Sequence, residues 1–520
     1  MTAPLPIPNT AIPPMVRGAC PALATPMMTG DGLLARIGLD GPIRPADLIR
    51  IGELAIRHGN GLIDISARGN IQLRGLSAPS ARALETDVRL MNLPLRDGVA
   101  VETGALAGHD PQEITSPEPL ASAIRAFISE YGLSRRLAAK FVVVVDGGGQ
   151  LPLHALLADI RLLAVRRGTE IFWRILLGGT AGTGRSVGVV ADADATTCVT
   201  LILARIAAMD VPVRGRALDS AEVREWLGDV VIADDDVVME QTAVALGLFQ
   251  LMNAAVSCEA RHQPQVTSPP RGEVPERQRG DEGATRQHLH VAISPSSGPS
   301  DHLLPDGEKT LASGRITDIP LPDQFAARIG IPFGQCPAET LINLGRQAET
   351  AGIAKIRPAI DHSLVFFGTQ DACRSMIEFS KDLILSQNDP RAKIAACPGS
   401  PACASASIKT HALGTLAARD VANLLDGSFT LHLSGCTKGC AHPAKALVSL
   451  VGMNDSTALI FEGKTSDMPL KLIRHGEEGK TLGALAHLVR LERGAGETTR
   501  DCLCRLGPAR LEKVLSQGLS

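Results

Sequence analysis

Four cysteines are the clearest chemical signal in this sequence of 520 residues. Cys397 and Cys403 are separated by five residues, and Cys436 and Cys440 are separated by three. Two close pairs of thiolates match the ligand set of a 4Fe–4S cluster, with one sulfur for each iron. Small and ring-constrained residues around both pairs favour tight turns that bring backbone N–H groups near the cluster sulfurs; they are Pro398, Gly399, Pro401, Gly435 and Gly439. The spacing therefore predicts a 4Fe–4S site.

Two other interpretations of these cysteines stay open at this point. A structural zinc site can use four cysteines, although its pairs are usually separated by two to four residues. The four thiols could also be unrelated. The other seven of the eleven cysteines are scattered, and we expect them to be buried small side chains; they are Cys20, Cys198, Cys258, Cys336, Cys373, Cys502 and Cys504.

A second candidate site follows a predicted short strand at Leu62–Ser66. Alternation along an extended chain places four polar side chains on one face, namely Arg68, Asn70, Gln72 and Arg74. Two arginines and two amides suit an anionic ligand rich in carboxylates, because a guanidinium binds a carboxylate through two parallel hydrogen bonds. The alternative is a solvated strand edge without a ligand.

Charge and composition exclude several classes of function. The net charge is −3, and aromatic residues make up 3% of the chain. Nucleic acids and anionic membranes bind basic surfaces, and single-stranded nucleic acid also stacks on aromatic side chains. We therefore expect neither a nucleic acid nor a membrane as partner. No apolar stretch approaches the roughly 20 residues that span a bilayer, and the first residues lack a basic segment before an apolar run. We therefore expect a cytoplasmic protein.

The two halves of the chain contain a repeat, seen after a shift of 293 positions. Its apolar positions recur at helical spacing, and Gly59 and Gly352 stand where a glycine commonly ends a helix. A helix–turn–strand unit therefore begins each half and indicates an internal duplication. The identical pairs are Leu48/Leu341, Ile49/Ile342, Gly52/Gly345, Ala55/Ala348, Gly59/Gly352, Ile63/Ile356 and Gly75/Gly368.

The halves are separated by residues 262–301, which are rich in Pro, Gly, Ser, Arg and Gln. Such a segment buries too little apolar surface to offset its ordering entropy, so we predict a disordered insertion. The rest of the chain indicates mixed α/β structure. The glycine-rich run Gly179–Gly184 resembles a phosphate-binding loop, but Arg185 follows where that loop requires lysine, so a turn before a strand is expected.

These cysteine motifs in a duplicated chain resemble the sulfite/nitrite reductase haemoprotein superfamily. Finer motifs are similar to its precorrin-3B synthase branch, and the similarity covers roughly 15–255 and 315–495. Reductases usually carry Gly-Cys-Pro-Asn at the second cysteine pair, where this chain has Gly-Cys-Thr-Lys. The motifs that carry the resemblance are Arg17-Gly-Ala-Cys-Pro21, Pro26-Met-Met-Thr-Gly-Asp-Gly-Leu-Leu34 with Arg36, Ala396-Cys-Pro-Gly-Ser-Pro-Ala-Cys403 and Ser434-Gly-Cys-Thr-Lys-Gly-Cys-Ala-His-Pro443.

The resemblance implies an α+β fold with pseudo-two-fold symmetry, made of two ferredoxin-like half-domains and two α/β lobes. The expected boundaries are half-domain 1 at 15–80, a tetrapyrrole-binding lobe at 81–257, a linker at 258–313, half-domain 2 at 314–388, a cluster-binding lobe at 389–497 and a tail at 498–520.

The resemblance also implies a function. We expect an O2-dependent monooxygenase that hydroxylates precorrin-3A and closes a γ-lactone in aerobic cobalamin synthesis. Cys397, Cys403, Cys436 and Cys440 would bind the cluster. The family suggests a non-haem iron near the substrate, or a tetrapyrrole-bound iron, as the centre that activates oxygen. Electrons from NADH would arrive through a separate reductase or carrier, because no nucleotide-binding Gly-x-Gly-x-x-Gly motif is evident.

The resemblance further implies that Arg68, Asn70, Gln72 and Arg74, with Lys140, bind the tetrapyrrole. His362 stands in the second repeat where related synthases tend to carry arginine. His442 is either a ligand or support of an iron centre, or a hydrogen-bonded loop residue. Lys438 would raise the cluster's potential if it pointed inward, but such a lysine is more often solvated.

Two alternatives differ in class. A sirohaem-dependent sulfite or nitrite reductase would bind sirohaem beside a basic oxyanion pocket. Val99 and Ala100 stand where the reductases carry an Arg-Asn pair, and Val142 replaces their second lysine. These lost polar groups argue against oxyanion reduction. A non-catalytic tetrapyrrole or iron–sulfur carrier would bind its ligand without turnover.

Overall fold

A computed structural model describes residues 21–96, 98–233 and 319–517. Its strands are β1 Met27–Thr29, β2 Gly32–Ile37, β3 Leu62–Ile65, β4 Ile71–Leu76, β5 Ala100–Glu102, β6 Val142–Asp146, β7 Ile160–Arg167, β8 Glu170–Leu177, β9 Arg185–Ala191, β10 Ile319–Pro320, β11 Phe325–Gly330, β12 Gln335–Pro337, β13 Lys355–Ala359, β14 Ser363–Gly368, β15 Ile394–Ala396, β16 Leu431–Ser434, β17 Ala446–Gly452, β18 Thr457–Gly463 and β19 Lys471–Ile473.

The helices of the described ranges are α1 Pro45–His58, α2 Ala78–Leu90, α3 Glu118–Glu130, α4 Asp192–Ala207, α5 Ser220–Leu227, α6 Ala338–Ala351, α7 Gln370–Phe379, α8 Thr410–Asp420, α9 Glu478–Glu492 and α10 Thr499–Gln517. None of these helices combines the length and apolar character required to cross a bilayer.

Two antiparallel sheets repeat one strand order. The first has the order β1-β2-β4-β3-β12, and the second has the order β10-β11-β14-β13. Each half also contributes a segment that pairs with an edge strand of the other half's sheet. Cys336 in β12 of the second half pairs with Ile63 of the first, and Ile43 of the first half forms a bridge with Ile356 of the second. The shift of 293 positions relates these two contacts, so the pairing confirms the duplication.

The same symmetry governs how α1 and α6 pack against each other. A Cβ placed on Gly52 would lie 2.5 Å from Cγ1 of Ile342, and one placed on Gly345 would lie 2.6 Å from Cγ1 of Ile49. Glycine therefore lets the two helices approach closely, and each glycine receives the isoleucine of the opposite repeat. These contacts explain why Ile49/Ile342 and Gly52/Gly345 are identical pairs.

Replacing Gly52 with alanine is expected to destabilise the fold. The new methyl group would press on Ile342 and on the Ala338 carbonyl, and overpacking of a close core typically costs about 1–3 kcal/mol. The control is Gly483→Ala in the interior of α9, where no atom lies within 4 Å of the added Cβ. That change should stabilise the helix by about 0.5–1 kcal/mol. Denaturant unfolding would test both variants, and equal midpoints would contradict the prediction.

The two lobes also share one topology. In the sheet β5-β6-β7-β8-β9 the first two pairings are parallel and the last two antiparallel, and the sheet β15-β16-β17-β18-β19 repeats this pattern. Apolar cores lie between each sheet and its helices. The predicted α+β architecture of paired half-domains and paired lobes is therefore confirmed.

Several local expectations change. Gly59 does end α1, but its φ of −118° is not left-handed; glycine is required there because a Cβ would overlap the Arg74 carbonyl. Gly352 has the expected left-handed φ of +79°. The expected tail at 498–520 forms α10, with Leu511 and Leu515 buried in the core of the second lobe. The predicted disordered segment 262–301 and the expected linker 258–313 both lie entirely outside the described residues.

Candidate tetrapyrrole and iron–sulfur site

A cavity of about 880 Å³ lies where the half-domains and lobes meet. Ligand-binding pockets for small molecules and cofactors typically measure about 300–1,000 Å³, so the cavity is large enough for an extended ligand. Its wall includes Arg68 and Gln72 of the first half-domain, Lys140 of the first lobe, and Cys397 and Cys440 of the second lobe. The cavity thus brings together the two candidate sites that the sequence indicated separately.

Three of the four residues on the predicted polar face line this cavity, namely Arg68, Asn70 and Gln72. Nη2 of Arg68 donates to the Leu157 carbonyl at 3.1 Å, which holds the guanidinium group against the first lobe. With its amide oxygen turned towards Arg36, Gln72 accepts hydrogen bonds from Nη2 and Nε at 2.9 and 3.0 Å. Arg36 and Gln72 are directly opposite each other on β2 and β4.

Lys140 also reaches the cavity wall, from the turn that precedes β6. Its φ of +65° is unusual for a residue other than glycine. Val99, Ala100 and Val142 line the same cavity. The three apolar positions that the sequence comparison with the reductases singled out therefore face the cavity.

Strand topology brings the cysteine pairs together. β15 ends at Ala396, directly before Cys397, and β16 ends at Ser434, two residues before Cys436. The two strands are parallel neighbours, with Ala396 opposite Leu433, so their carboxyl ends meet at one edge of the sheet. The four thiols also influence one another electrostatically: burial and three neighbouring cysteines raise the pKa of Cys440 to about 11.

Two hydrogen bonds fix the position of Cys397, and one of them reaches its sulfur. The Gly435 N–H donates to Sγ of Cys397 at 3.1 Å, and Thr410 Oγ1 donates to the Cys397 carbonyl. A Cβ on Gly435 would lie 2.5 Å from Cβ of Ala406, so glycine permits this close approach. Hydrogen bonds to sulfur stabilise a thiolate and tune the reduction potential of a bound cluster.

The arrangement does not resemble a site for a single metal ion. Within 21–96, 98–233 and 319–517, no three His, Cys, Asp or Glu side chains converge where one ion could be held. A tetrahedral zinc draws every sulfur to about 2.3 Å from one point. A cubane instead takes one thiolate at each of four iron corners, so its ligands stand apart. Four thiolates in two close pairs are a donor set that fits a 4Fe–4S cluster.

This chain is similar to proteins of known family. Residues 25–89 match the nitrite/sulfite reductase ferredoxin-like half domain. A precorrin-3B synthase from Sinorhizobium sp. is 33% identical over 508 residues, which cover 97% of this chain and 95% of that protein.

The chain belongs to the precorrin-3B synthase family.

A solved structure supports the fold of this precorrin-3B synthase family member. NirA of Mycobacterium tuberculosis superposes with a TM-score of 0.59 at 15% identity, covering 92% of this chain and 84% of that one. Together with the half-domain match, this likeness shows that the chain shares the fold of that protein and contains a ferredoxin-like half domain of the nitrite/sulfite reductase type.

Arg74 does not belong to the cavity wall of this family member, and the sequence prediction for it is corrected. The residue is only 2% exposed, and its guanidinium forms salt bridges of 2.9 Å to Asp31 and 2.8 Å to Asp64. Nη2 also donates to the Ala402 carbonyl at 2.7 Å. Burial alone would lower the pKa of Arg74, but the two carboxylates outweigh it and raise that pKa. Strand alternation did place Arg74 on the right face, yet the neighbouring β1–β2 turn covers it.

Arg74 therefore supports the segment between Cys397 and Cys403, which contains Ala402. We expect Arg74→Met to lower the free energy of unfolding by about 3–5 kcal/mol, because two partly buried carboxylates lose their counterion. Arg50→Met on the exposed face of α1 is the control; it removes a surface ion pair with Glu53 that is worth at most about 1 kcal/mol. Unfolding in denaturant gives the free energy of unfolding of both variants. Unchanged stability of Arg74→Met with weakened ligand binding would restore the original prediction.

Several cavity residues were missed by sequence reasoning. Arg36 stands within a motif that carried the resemblance, so it could have been selected. Arg96 gave no such signal: it forms ion pairs of 2.8 Å with both Asp40 and Glu102 and still reaches the cavity. His411 and Phe333 also line the wall, with ring centroids 5.5 Å apart, and burial lowers the pKa of His411.

Lys438, between the second pair of cysteines, and His442, just after it, both have bonded partners. Lys438 is exposed, and its Nζ donates to Oγ of Ser405 at 2.9 Å. Nε2 of His442 lies 3.3 Å from the Lys445 carbonyl, and its ring lies 5.5 Å from that of His432.

The glycine-rich run at 179–184 forms a turn before β9, as expected.

Proposed function

We propose that this chain is a precorrin-3B synthase that uses O2 to hydroxylate precorrin-3A and to close a γ-lactone in aerobic cobalamin synthesis. Family membership supports the pathway and the class of enzyme. The observation that carries the proposal is the shared cavity, whose wall contains Arg68 and Lys140 as well as Cys397 and Cys440. A carboxylate-rich macrocycle bound there would lie beside the cluster site.

The basic residues would orient the substrate. A precorrin carries many acetate and propionate side chains, and arginine holds a carboxylate in a fixed direction. Arg68 and Arg36 approach from the first half-domain, and Lys140 approaches from the first lobe. These directions would fix the macrocycle in the plane between half-domain and lobe and restrict which meso carbon meets oxygen.

Cys397, Cys403, Cys436 and Cys440 would hold the 4Fe–4S cluster. When bound, such a cluster supplies single electrons, which oxygen activation requires and a hydride donor does not deliver directly. The Gly435 N–H and the buried position of Cys397 would tune its potential. NADH would provide the electrons through a separate reductase or carrier, and an additional non-haem iron is part of the proposal by family analogy.

The apolar residues Val99, Ala100 and Val142 favour this proposal over a sirohaem-dependent sulfite or nitrite reductase. They line the cavity where the reductases would place charge for a small oxyanion. A pocket without those charges discriminates poorly in favour of sulfite or nitrite. The same wall is compatible with a large organic substrate.

The test begins with anaerobically purified protein, whose visible spectrum, iron and sulfide are measured together. We expect broad cluster absorbance without a Soret band. Precorrin-3A is then supplied with ¹⁸O2 and a one-electron reductant, and the product should contain one ¹⁸O atom by mass spectrometry. Stoichiometric sirohaem, or reduction of sulfite with no change in precorrin-3A, would contradict the proposal. Binding of precorrin-3A without turnover by a cluster-loaded protein would favour a carrier.

A further inference from the structure

A row of four polar residues crosses the sheet that forms one wall of the cavity. Arg36 in β2 stands directly opposite Gln72 in β4. Asp64 in β3 lies between Gln72 and Gln335 of β12, and it is directly opposite both. Residues that stand opposite each other in neighbouring strands share one face of a sheet, and all four line the cavity. Because β12 belongs to the second half of the chain, Gln335 is the contribution of that half to the row.

Asp64 fixes the orientation of the Gln335 amide. Nε2 of Gln335 donates to Oδ1 of Asp64 at 2.7 Å. The carboxylate is itself held in place, because Nη1 of Arg74 donates to its Oδ2 at 2.8 Å. A carboxylate paired with an arginine can only accept hydrogen bonds, so the amide nitrogen of Gln335 faces Asp64 and the amide oxygen is turned away from it.

The oxygen of this amide is an open acceptor. In the part of the chain that the structure describes, Oε1 of Gln335 accepts no hydrogen bond and is not sealed off by protein atoms. Gln335 is half-buried and lines the cavity. The side chain therefore offers the cavity an acceptor, whereas Arg36, Arg68 and Lys140 offer it donors.

The corresponding positions of the other repeat carry no acceptor side chain. The shift of 293 positions places Arg357 at the position of Asp64 and Pro42 at the position of Gln335. Arginine only donates, and proline has no polar atom in its side chain. The repeated fold therefore does not require this pair of acceptors, and the pair occurs in the sheet that borders the cavity.

We propose that Gln335 contacts the substrate and accepts a hydrogen bond through Oε1 from a ring N–H group of bound precorrin-3A. This inference rests on the proposed function. The ionised carboxylate arms of a precorrin have no proton to donate, whereas a tetrapyrrole without a central metal carries N–H groups on its ring nitrogens. Arg36, Arg68 and Lys140 hold the periphery of the macrocycle, and Gln335 recognises its centre.

The hydrogen bond is tested first on the cluster-loaded full chain. Precorrin-3A labelled with ¹⁵N at its ring nitrogens is added anaerobically, and proton–nitrogen correlation spectra detect the N–H groups of the bound ligand. We expect the wild type to shift one N–H proton downfield. Gln335→Met, which is similar in size but has no amide oxygen, should reverse that shift. Identical N–H signals in the wild type and in Gln335→Met would overturn the proposal.

Affinity then separates contact with the substrate from support of Asp64. Gln335→Met should bind precorrin-3A about three- to ten-fold more weakly in anaerobic titrations, which is the loss expected for one uncharged hydrogen bond. The control is Gln347→Met on α6, because Nε2 of Gln347 also donates to a side chain, Oγ of Ser375 at 2.8 Å, but Gln347 does not line the cavity. This variant should bind like the wild type. Unfolding in denaturant is measured on the same samples.

The outcomes distinguish this inference from the proposed function. Wild-type affinity in Gln335→Met would overturn the inference and leave the proposed function intact. A lower unfolding midpoint with unchanged affinity would mean that Gln335 serves only Asp64, and it would overturn the inference as well. A wild-type chain that does not bind precorrin-3A would overturn both.

Discussion

Cys440→Ser is expected to abolish the cluster and, with it, turnover. Cys440 lines the cavity and belongs to the group of four mutually interacting cysteines. Serine has nearly the same size, but its oxygen binds iron far less readily than a thiolate does, so one corner of the cubane loses its ligand. Anaerobically purified Cys440→Ser should lack the broad visible absorbance and should contain much less than the four irons per chain of an intact cluster.

A buried cysteine outside the site provides the control. Cys198 lies in α4 within the core of the first lobe. Cys198→Ser should retain the cluster absorbance and the iron content, even if its stability falls. Loss of the cluster in Cys198→Ser, or its retention in Cys440→Ser, would refute the ligand assignment. Measuring sulfide along with iron separates a lost cluster from adventitious iron.

Arg68→Gln is expected to weaken precorrin-3A binding roughly ten- to one-hundred-fold. A hydrogen bond to a charged group contributes about 1.5–3 kcal/mol, and glutamine keeps the polarity but removes the charge and the fork. Because Arg68 is half-buried beside the cavity, its interaction should be screened less by salt than a surface pair would be. Anaerobic titration, followed by absorbance of the macrocycle, gives the dissociation constant.

The control for Arg68 is Arg346→Gln on the exposed face of α6, which carries the same loss of charge. It should bind precorrin-3A like the wild type. Equal affinities for Arg68→Gln and wild type would mean that Arg68 serves only the Leu157 carbonyl. Because Arg68 also bonds to the Leu157 carbonyl, a structural effect of Arg68→Gln would lower the midpoint of unfolding in denaturant. That midpoint is measured on the same samples.

Duplication produced two similar halves but only one polar face. The positions that correspond to Arg68, Asn70, Gln72 and Arg74 in the second repeat are Asp361, Ser363, Val365 and Phe367. Val365 and Phe367 are buried in a small apolar cluster with residues of β10 and β11. The second repeat therefore lacks a matching site for carboxylates, and its contribution to the cavity comes instead from residues such as His362 and Gln335.

Local sequence patterns were sufficient for much of this organisation. The repeated Ile–Gly pairs indicated the duplication because close helix packing tolerates few substitutions, and the spacing of the four cysteines indicated their common site because cluster ligands occur in tight turns. Alternation selected Gln72 in β4, together with Arg68 and Asn70 just before the strand, because side chains two residues apart share one face of an extended chain.

Contacts between distant segments determined which of the remaining side chains reach the cavity. Arg74 follows the same alternation as Gln72, but Asp31, Asp64 and Ala402 surround it, and residues from three separate segments leave no trace in a local pattern. Arg36, Arg96 and His362 became cavity residues only through the packing of half-domains against lobes. Sequence periodicity reports which face of an element a side chain occupies, whereas the partner that covers this face depends on the tertiary arrangement.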